Sequence, residues 1–301
     1  MKEKSAIQRK QPAINPYLMK NWSRPGSLKI TVFRKLTGSM RVLPDFIIIG
    51  AAKCGTTSLY DYLTQHPSIY SADRKEIYFF DRYYPLGINW YKGFFRLKIF
   101  KNFKKINGSF LTGEATPTYI HHPLAAERIS KSIPKAKLIV LLRNPVDRAF
   151  SSYNMQKKHG IESLTFQEAI KAEESRLAGE YEKMISNPNY YSYYTQWYAY
   201  LTRGIYVDQL KVWMKFFPKN QFLIIKSEDF FENEDNIYHQ VLTFLNLPYK
   251  KIKFEKQNVG KYEQMDKKIR KELLEFFKPH NERLYQFLGK DFGWNTMENI
   301  D

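Results

Sequence analysis

The stretch Pro44–Leu63, PDFIIIGAAKCGTTSLYDYL, constrains the fold of this chain more than any other. An apolar run, Phe46 to Ile49, stops at Gly50, and small residues follow. Thr56, Thr57 and Ser58 then open a segment in which Leu59, Tyr60, Tyr62 and Leu63 recur at helical spacing. That order reads as a buried strand, a tight loop and a helix N-terminus. Such a junction aims free backbone N–H groups and the positive end of a helix dipole at one point, which suits a phosphate. Gly50 and Gly55 have the spacing of a P-loop, but Thr56 stands where a P-loop carries its lysine, and Lys53 lies earlier. A glycine-rich turn alone is an ordinary strand-to-helix connection. Strand, paired glycines, lysine, hydroxyls and helix together favour a phosphate site.

The rest of the chain repeats the strand-then-helix order. Lys137–Leu142 and Phe222 to Ile225 are further buried strands, and residues 109–119 hold a short strand and a loop. Residues 68–81 read as a charged loop followed by an aromatic run. Helical spacing covers residues 124–132, a segment from Val146, 164–181 with a Thr165/Glu168 capping box, 206–217, 236–245 and 265–288, the last broken or kinked at Pro279. Residues 92–105 read as a helical excursion. Alternation of this kind predicts an α/β fold with a P-loop-like central parallel β-sheet flanked by helices. With no repeat and no interdomain linker, residues 42–301 form one domain behind a basic, partly disordered arm, residues 1–41. Within residues 28–43 a surface-lying amphipathic segment competes with an element packed on the domain, and Gly38 favours packing.

Charge narrows the partners. The formal net charge is +18, and residues 1–41 hold ten Lys/Arg against the single acid Glu3. An excess of this size favours a nucleotide, an acidic sugar, nucleic acid or an acidic membrane surface. Cys54 is the only cysteine, so no intramolecular disulfide exists. With no apolar run of membrane-spanning length and no leader-like N-terminus, the expectation is a soluble cytoplasmic protein.

Arg143 ends the Lys137–Leu142 strand, at the sheet edge where open α/β folds bind ligands, and Ser151 follows two helical turns later. Taken singly, Arg143 is as readily a structural ion-pair residue and Ser151 a surface hydroxyl. Beside the Gly50–Ser58 loop they describe a second anion site, and two such sites describe a bisphosphorylated nucleotide. A P-loop NTPase would need a lysine at position 56 and a metal-binding acid near Arg143. The sequence therefore points to an anion bound without metal.

The motifs IIIGAAKCGTTSLYDYL, KEIYFFD, GINWY, GEATPTY, LIVLLRNPVDRAFSSY, GIYVDQL and LYQFLGKDFGW occur in the order seen in sulfotransferases that use 3′-phosphoadenosine 5′-phosphosulfate (PAPS). The chain resembles most the branch of heparan sulfate glucosaminyl N- and 3-O-sulfotransferases and their bacterial relatives, over residues 44–294. The resemblance implies the sulfotransferase fold, PAPS as sulfuryl donor and PAP as product. Lys53, Gly55, Thr56, Thr57 and Ser58 would hold the 5′-phosphosulfate, and Arg143 and Ser151 the 3′-phosphate. Lys53 would also serve catalysis, Glu76 in KEIYFFD would be the general base, and Lys261 in Gly260-Lys261 would close over the nucleotide. Without the resemblance, Glu76 reads as a loop glutamate paired with a neighbouring cation.

Other residues carry weaker signals. Asp81 reads as a loop-ordering residue, and His66 as the end of a helix. Tyr206 reads as packing near the cofactor. The tyrosine-rich stretch 190–200 reads equally as an acceptor cleft or as inward packing. Ala115 stands where the 3-O-sulfotransferases carry a lysine, and the cysteine pair of the animal enzymes is missing. The acceptor is left as a glycan or small molecule, with sulfation at a hydroxyl or an amine. Two rivals remain: a degenerate P-loop nucleotide kinase, and a basic polyanion-binding protein. No specific nucleic-acid partner is expected, while the basic arm is suited to peripheral contact with anionic surfaces.

Overall fold

The computed structural model describes residues 32–101, 110–255 and 263–296. Five strands, β1 Phe46–Gly50, β2 Ile69–Ser71, β3 Leu111–Ala115, β4 Lys137–Leu142 and β5 Phe222–Lys226, pair in parallel in the order β2-β3-β1-β4-β5. β1 is buried along its whole length and β4 is buried from Leu138 onward, as expected for central strands covered on both faces by helices. Their uninterrupted apolar sequences are that burial written out. β2 escaped the sequence reading because it is a three-residue edge strand whose burial falls away along its length, so it has no pattern of its own.

Helices connect the strands. α1 Val32–Leu36 precedes the sheet, and α2 Thr56–Thr64 leaves β1. α3 Ile88–Lys92 and α4 Ala125–Ser132 follow, and α5 Pro145–Lys158 leaves β4. Pro145 occupies the first turn of α5, and Asn144 caps it by accepting the Val146 N–H at 3.0 Å. α6 Phe166–Leu177 carries the expected Thr165/Glu168 capping box. α7 Glu180–Ser186, α8 Tyr193–Trp197 and α9 Tyr206–Trp213 come next. α10 Ser227–Glu232, α11 Glu234–Leu245 and α12 Lys267–Leu288 complete the shell, and α12 runs on through Pro279.

The main core lies between the sheet and its helices. A second, aromatic cluster joins α5, α6 and α12 through Val146, Tyr153, Phe166, Tyr200 and Phe277. Residues 32–41 pack on the same body: Arg41 is buried and donates to the Phe95 carbonyl at 2.6 Å, and Gly38 abuts Asn89. Residues 1–31, the greater part of the basic arm, lie outside the described residues.

Candidate active site

The parallel strands end on one side of the sheet; the segments leaving β1 and β4 carry the cations singled out above, and the segment leaving β2 carries the carboxylate past the end of β3. After β1 the chain turns through residues 51–55 into α2. Gly55 has φ 87°, a left-handed conformation that glycine takes without a Cβ clash. A Cβ there would also meet the Phe231 ring at 2.9 Å. With glycine at its N-cap, α2 has no capping side chain, and Thr56, Thr57 and Ser58 form its first turn. Its leading N–H groups are thereby left for an anion.

Lys53 sits in this loop at φ 74°, and its Nζ donates to Met155 Sδ at 3.6 Å. Met155 lies one turn beyond Ser151 on α5, so the lysine reaches the helix face that carries Ser151. Burial lowers the Lys53 pKa, and the Arg143 charge lowers it further, followed by Arg148; Glu76 and Cys54 oppose them. Lys53, Arg143 and Glu76 thus share one electrostatic neighbourhood. Among the described residues neither Lys53 nor Arg143 makes a salt bridge. Two cations held together without a salt-bridged carboxylate form a site that an anion stabilises.

Arg143 follows β4 directly. Its carbonyl accepts from the Tyr206 hydroxyl at 2.9 Å, and the next N–H, from Asn144, donates to Glu228 Oε1 at 2.8 Å. Ser151 is buried on α5. Tyr206 is therefore a packing residue that also fixes the strand end bearing Arg143. Cys54 is fully buried, and burial pushes its thiol up to about 11, so it is no nucleophile.

Glu76 lies beside β3, where its N–H donates to the Ala115 carbonyl at 3.0 Å. Glu76 and Tyr78 both adopt left-handed backbone conformations, φ 57° and 55°. Strain of this kind gathers at functional sites. The Tyr78 hydroxyl donates a short hydrogen bond to Glu76 Oε2. The sequence reading missed Tyr78, whose only signal is its place two residues after Glu76 in an aromatic run.

The remaining residues divide clearly. Asp81 Oδ2 accepts from the Thr118 hydroxyl at 2.5 Å, a loop-ordering contact. His66 is buried just past α2, and its ring accepts the Ser68 N–H at 3.1 Å and meets the Pro248 carbonyl at 3.0 Å. Tyr198 and Tyr200 are buried, while Tyr190 and Tyr191 line a small cavity with Asp81, Arg82, His121 and Arg203. The Glu114 carboxyl, also missed, is fully buried and accepts from Tyr91, Thr116 and Tyr119. Lys261 lies outside the described residues.

The family model described as "Sulfotransferase domain" matches residues 43–280. The chain is 31% identical to a human protein named heparan sulfate glucosamine 3-O-sulfotransferase 3A1, over 90% of this chain and 66% of that one. It is 29% identical to the membrane-associated sulfotransferase kil1 of Dictyostelium discoideum, over 86% of this chain and 68% of that one. The chain thus spans about two thirds of the length of these relatives. A crystal structure of a sulfotransferase from Alicyclobacillus acidocaldarius superposes with TM-score 0.64 at 31% identity, covering 85% of this chain and all of that one. The expected cytoplasmic placement is overturned by the membrane-associated relative. Its basis was weak in physical terms, because the lack of a membrane-length apolar run does not exclude attachment to a membrane surface. Among the described residues no helix is long and apolar enough to cross a membrane.

Proposed function

From the premise that the chain belongs to the sulfotransferase family and is a PAPS-dependent sulfotransferase, we propose that it transfers the sulfuryl group to a hydroxyl or amine of a glycan acceptor, with Glu76 as general base. The observation that carries this reading is the convergence of Lys53, Arg143 and Glu76 at the ends of β1, β4 and β3, with both cations free of carboxylate partners among the described residues.

The donor supplies an activated sulfuryl group. Lys53 and the first turn of α2 bind its 5′ end and meet the negative charge that grows on the leaving phosphate oxygen. Arg143 and Ser151 bind the 3′-phosphate, and Lys261, outside the described residues, is the further cofactor cation that the family resemblance implies. Glu76 takes the proton that the acceptor loses as its oxygen or nitrogen attacks, and Tyr78 holds that carboxylate in place. Electrostatics and positioning carry the reaction without a metal. The glycan assignment is supported by the printed substrate of the human relative. Ala115 in place of the lysine of the 3-O-sulfotransferases separates its acceptor from theirs.

The test is label transfer from radiolabelled PAPS to a panel of glycans and small metabolites, repeated with Glu76→Gln. We expect a glycan to take the label, and turnover of the variant to fall about 10²- to 10⁴-fold with PAP affinity preserved. Near-wild-type turnover of Glu76→Gln would remove Glu76 as base. Label appearing only on small metabolites would remove the glycan.

A further inference from the structure

Single exposed apolar side chains are ordinary on a protein surface, but a cluster of them among cations is not. Five of the six most exposed large apolar side chains among the described residues are Leu36, Phe33, Met40, Ile99 and Phe100, from 76% down to 48% exposed. They fall on two short segments that lie side by side. Arg41 bridges to Leu97, the Val42 N–H donates to the Arg96 carbonyl at 3.0 Å, and Arg34 Nη1 donates to the Gly93 carbonyl at 3.2 Å.

The first segment has already used its inward face. Arg34, Gly38 and Arg41 hold it against Gly93, Asn89 and Phe95. Phe33 and Leu36 lie about one turn apart on α1, Met40 follows in the 3-10 turn Gly38–Met40, and all three are exposed. They are a second face, not a loosely packed first one.

The charge around them has one sign. Residues 32–43 and 92–101 carry Arg34, Lys35, Arg41, Lys92, Arg96, Lys98 and Lys101 and no acid. The nearby acids Asp73 and Asp45 are each paired, with Arg34 and Lys101. Lys35, Arg96 and Lys98 are exposed. Upstream, the sequence of residues 1–31 adds further cations against Glu3 alone.

We propose that this face docks the protein on an anionic phospholipid bilayer. Phe33, Leu36, Met40, Ile99 and Phe100 enter the boundary between headgroups and acyl chains, while Lys35, Arg96 and Lys98 lie against lipid phosphates and carboxylates. A nucleic acid or a sulfated glycan would satisfy the cations and leave the apolar side chains in water, so the bilayer accounts for both halves of the surface. This inference does not depend on the identity of the base or the acceptor.

The experiment is co-sedimentation of the full chain with phosphatidylcholine vesicles, with and without one quarter phosphatidylserine. The wild type is expected to pellet with the anionic vesicles, to remain in solution with the neutral ones, and to be released by salt. The triple variant Phe33→Ser, Leu36→Ser, Met40→Ser is expected to lose about tenfold or more in partitioning. Its melting temperature and its sulfuryl transfer without vesicles should match the wild type, because these side chains are exposed and none is placed at the nucleotide or the acceptor. A second variant, Lys35→Glu with Lys98→Glu, is expected to bind anionic vesicles more weakly and with less salt dependence. Vesicle binding by the triple variant equal to wild type would overturn the proposal. So would tight wild-type binding to heparin or an oligonucleotide with no binding to anionic vesicles.

Discussion

Lys53 shows what a site built for an anion does to a single residue. Burial and the Arg143 charge hold its pKa below the ordinary lysine value. A bound phosphate reverses the electrostatic part, so the complex holds a proton that the free protein releases at alkaline pH. Binding of PAP should therefore take up protons on the alkaline side, and affinity should fall as pH rises through the lowered Lys53 pKa. Calorimetry of PAP binding in buffers of different ionisation enthalpy checks this, and Lys53→Met should abolish the proton uptake. At this scale the sequence was informative where a residue follows a strong strand. Lys53 and Arg143 are named by the apolar runs that precede them. Tyr78 and Met155 were not legible, because one depends on left-handed turns around Glu76 and the other on contact between loop and helix.

Among the elements, β3 carries the clearest testable consequence. Its Glu114 is fully enclosed, and burial pushes the carboxyl up to about 7 despite three hydroxyl donors. The usual glutamate value is 4.5. Between those values the folded protein keeps a proton that the unfolded chain gives up. Stability from this group is fully present below the unfolded value and is lost as pH rises through the folded one. Glu114→Gln should flatten that fall, a difference on the order of 3 kcal/mol across the window. Thermal melts of both proteins over the same pH range read it. Of the strands that sequence pattern located, β1, β4 and β5 have long apolar runs, and β3 was legible only as a short strand within residues 109–119. β2 was illegible because a three-residue edge strand is defined by its neighbour's hydrogen bonds, not by its own side chains.

Across the whole molecule, strand order decides what the motifs mean. Sequence reading placed anion-binding residues at two strand ends and a carboxylate in a separate loop; it could not show that these meet. The order β2-β3-β1-β4-β5 sets β1 between β3 and β4, so residues as distant in sequence as Glu76 and Arg143 share one rim. The same scale resolves residues 190–200, where chain path sends Tyr198 and Tyr200 into the aromatic core and Tyr190 and Tyr191 toward the cavity. Composition was least informative here. A charge of +18 admits many anionic partners, and only the position of each cation separates nucleotide from bilayer.

The measurement that bears most directly on the shared rim is a crystal structure of the protein with PAP. The predicted result places the 5′-phosphate within hydrogen-bonding distance of Lys53 Nζ and the first turn of α2, and the 3′-phosphate against Arg143 and Ser151, with Glu76 facing the 5′ end. A nucleotide seated in the cavity beside Arg203, or with either phosphate away from Lys53 and Arg143, would contradict the account.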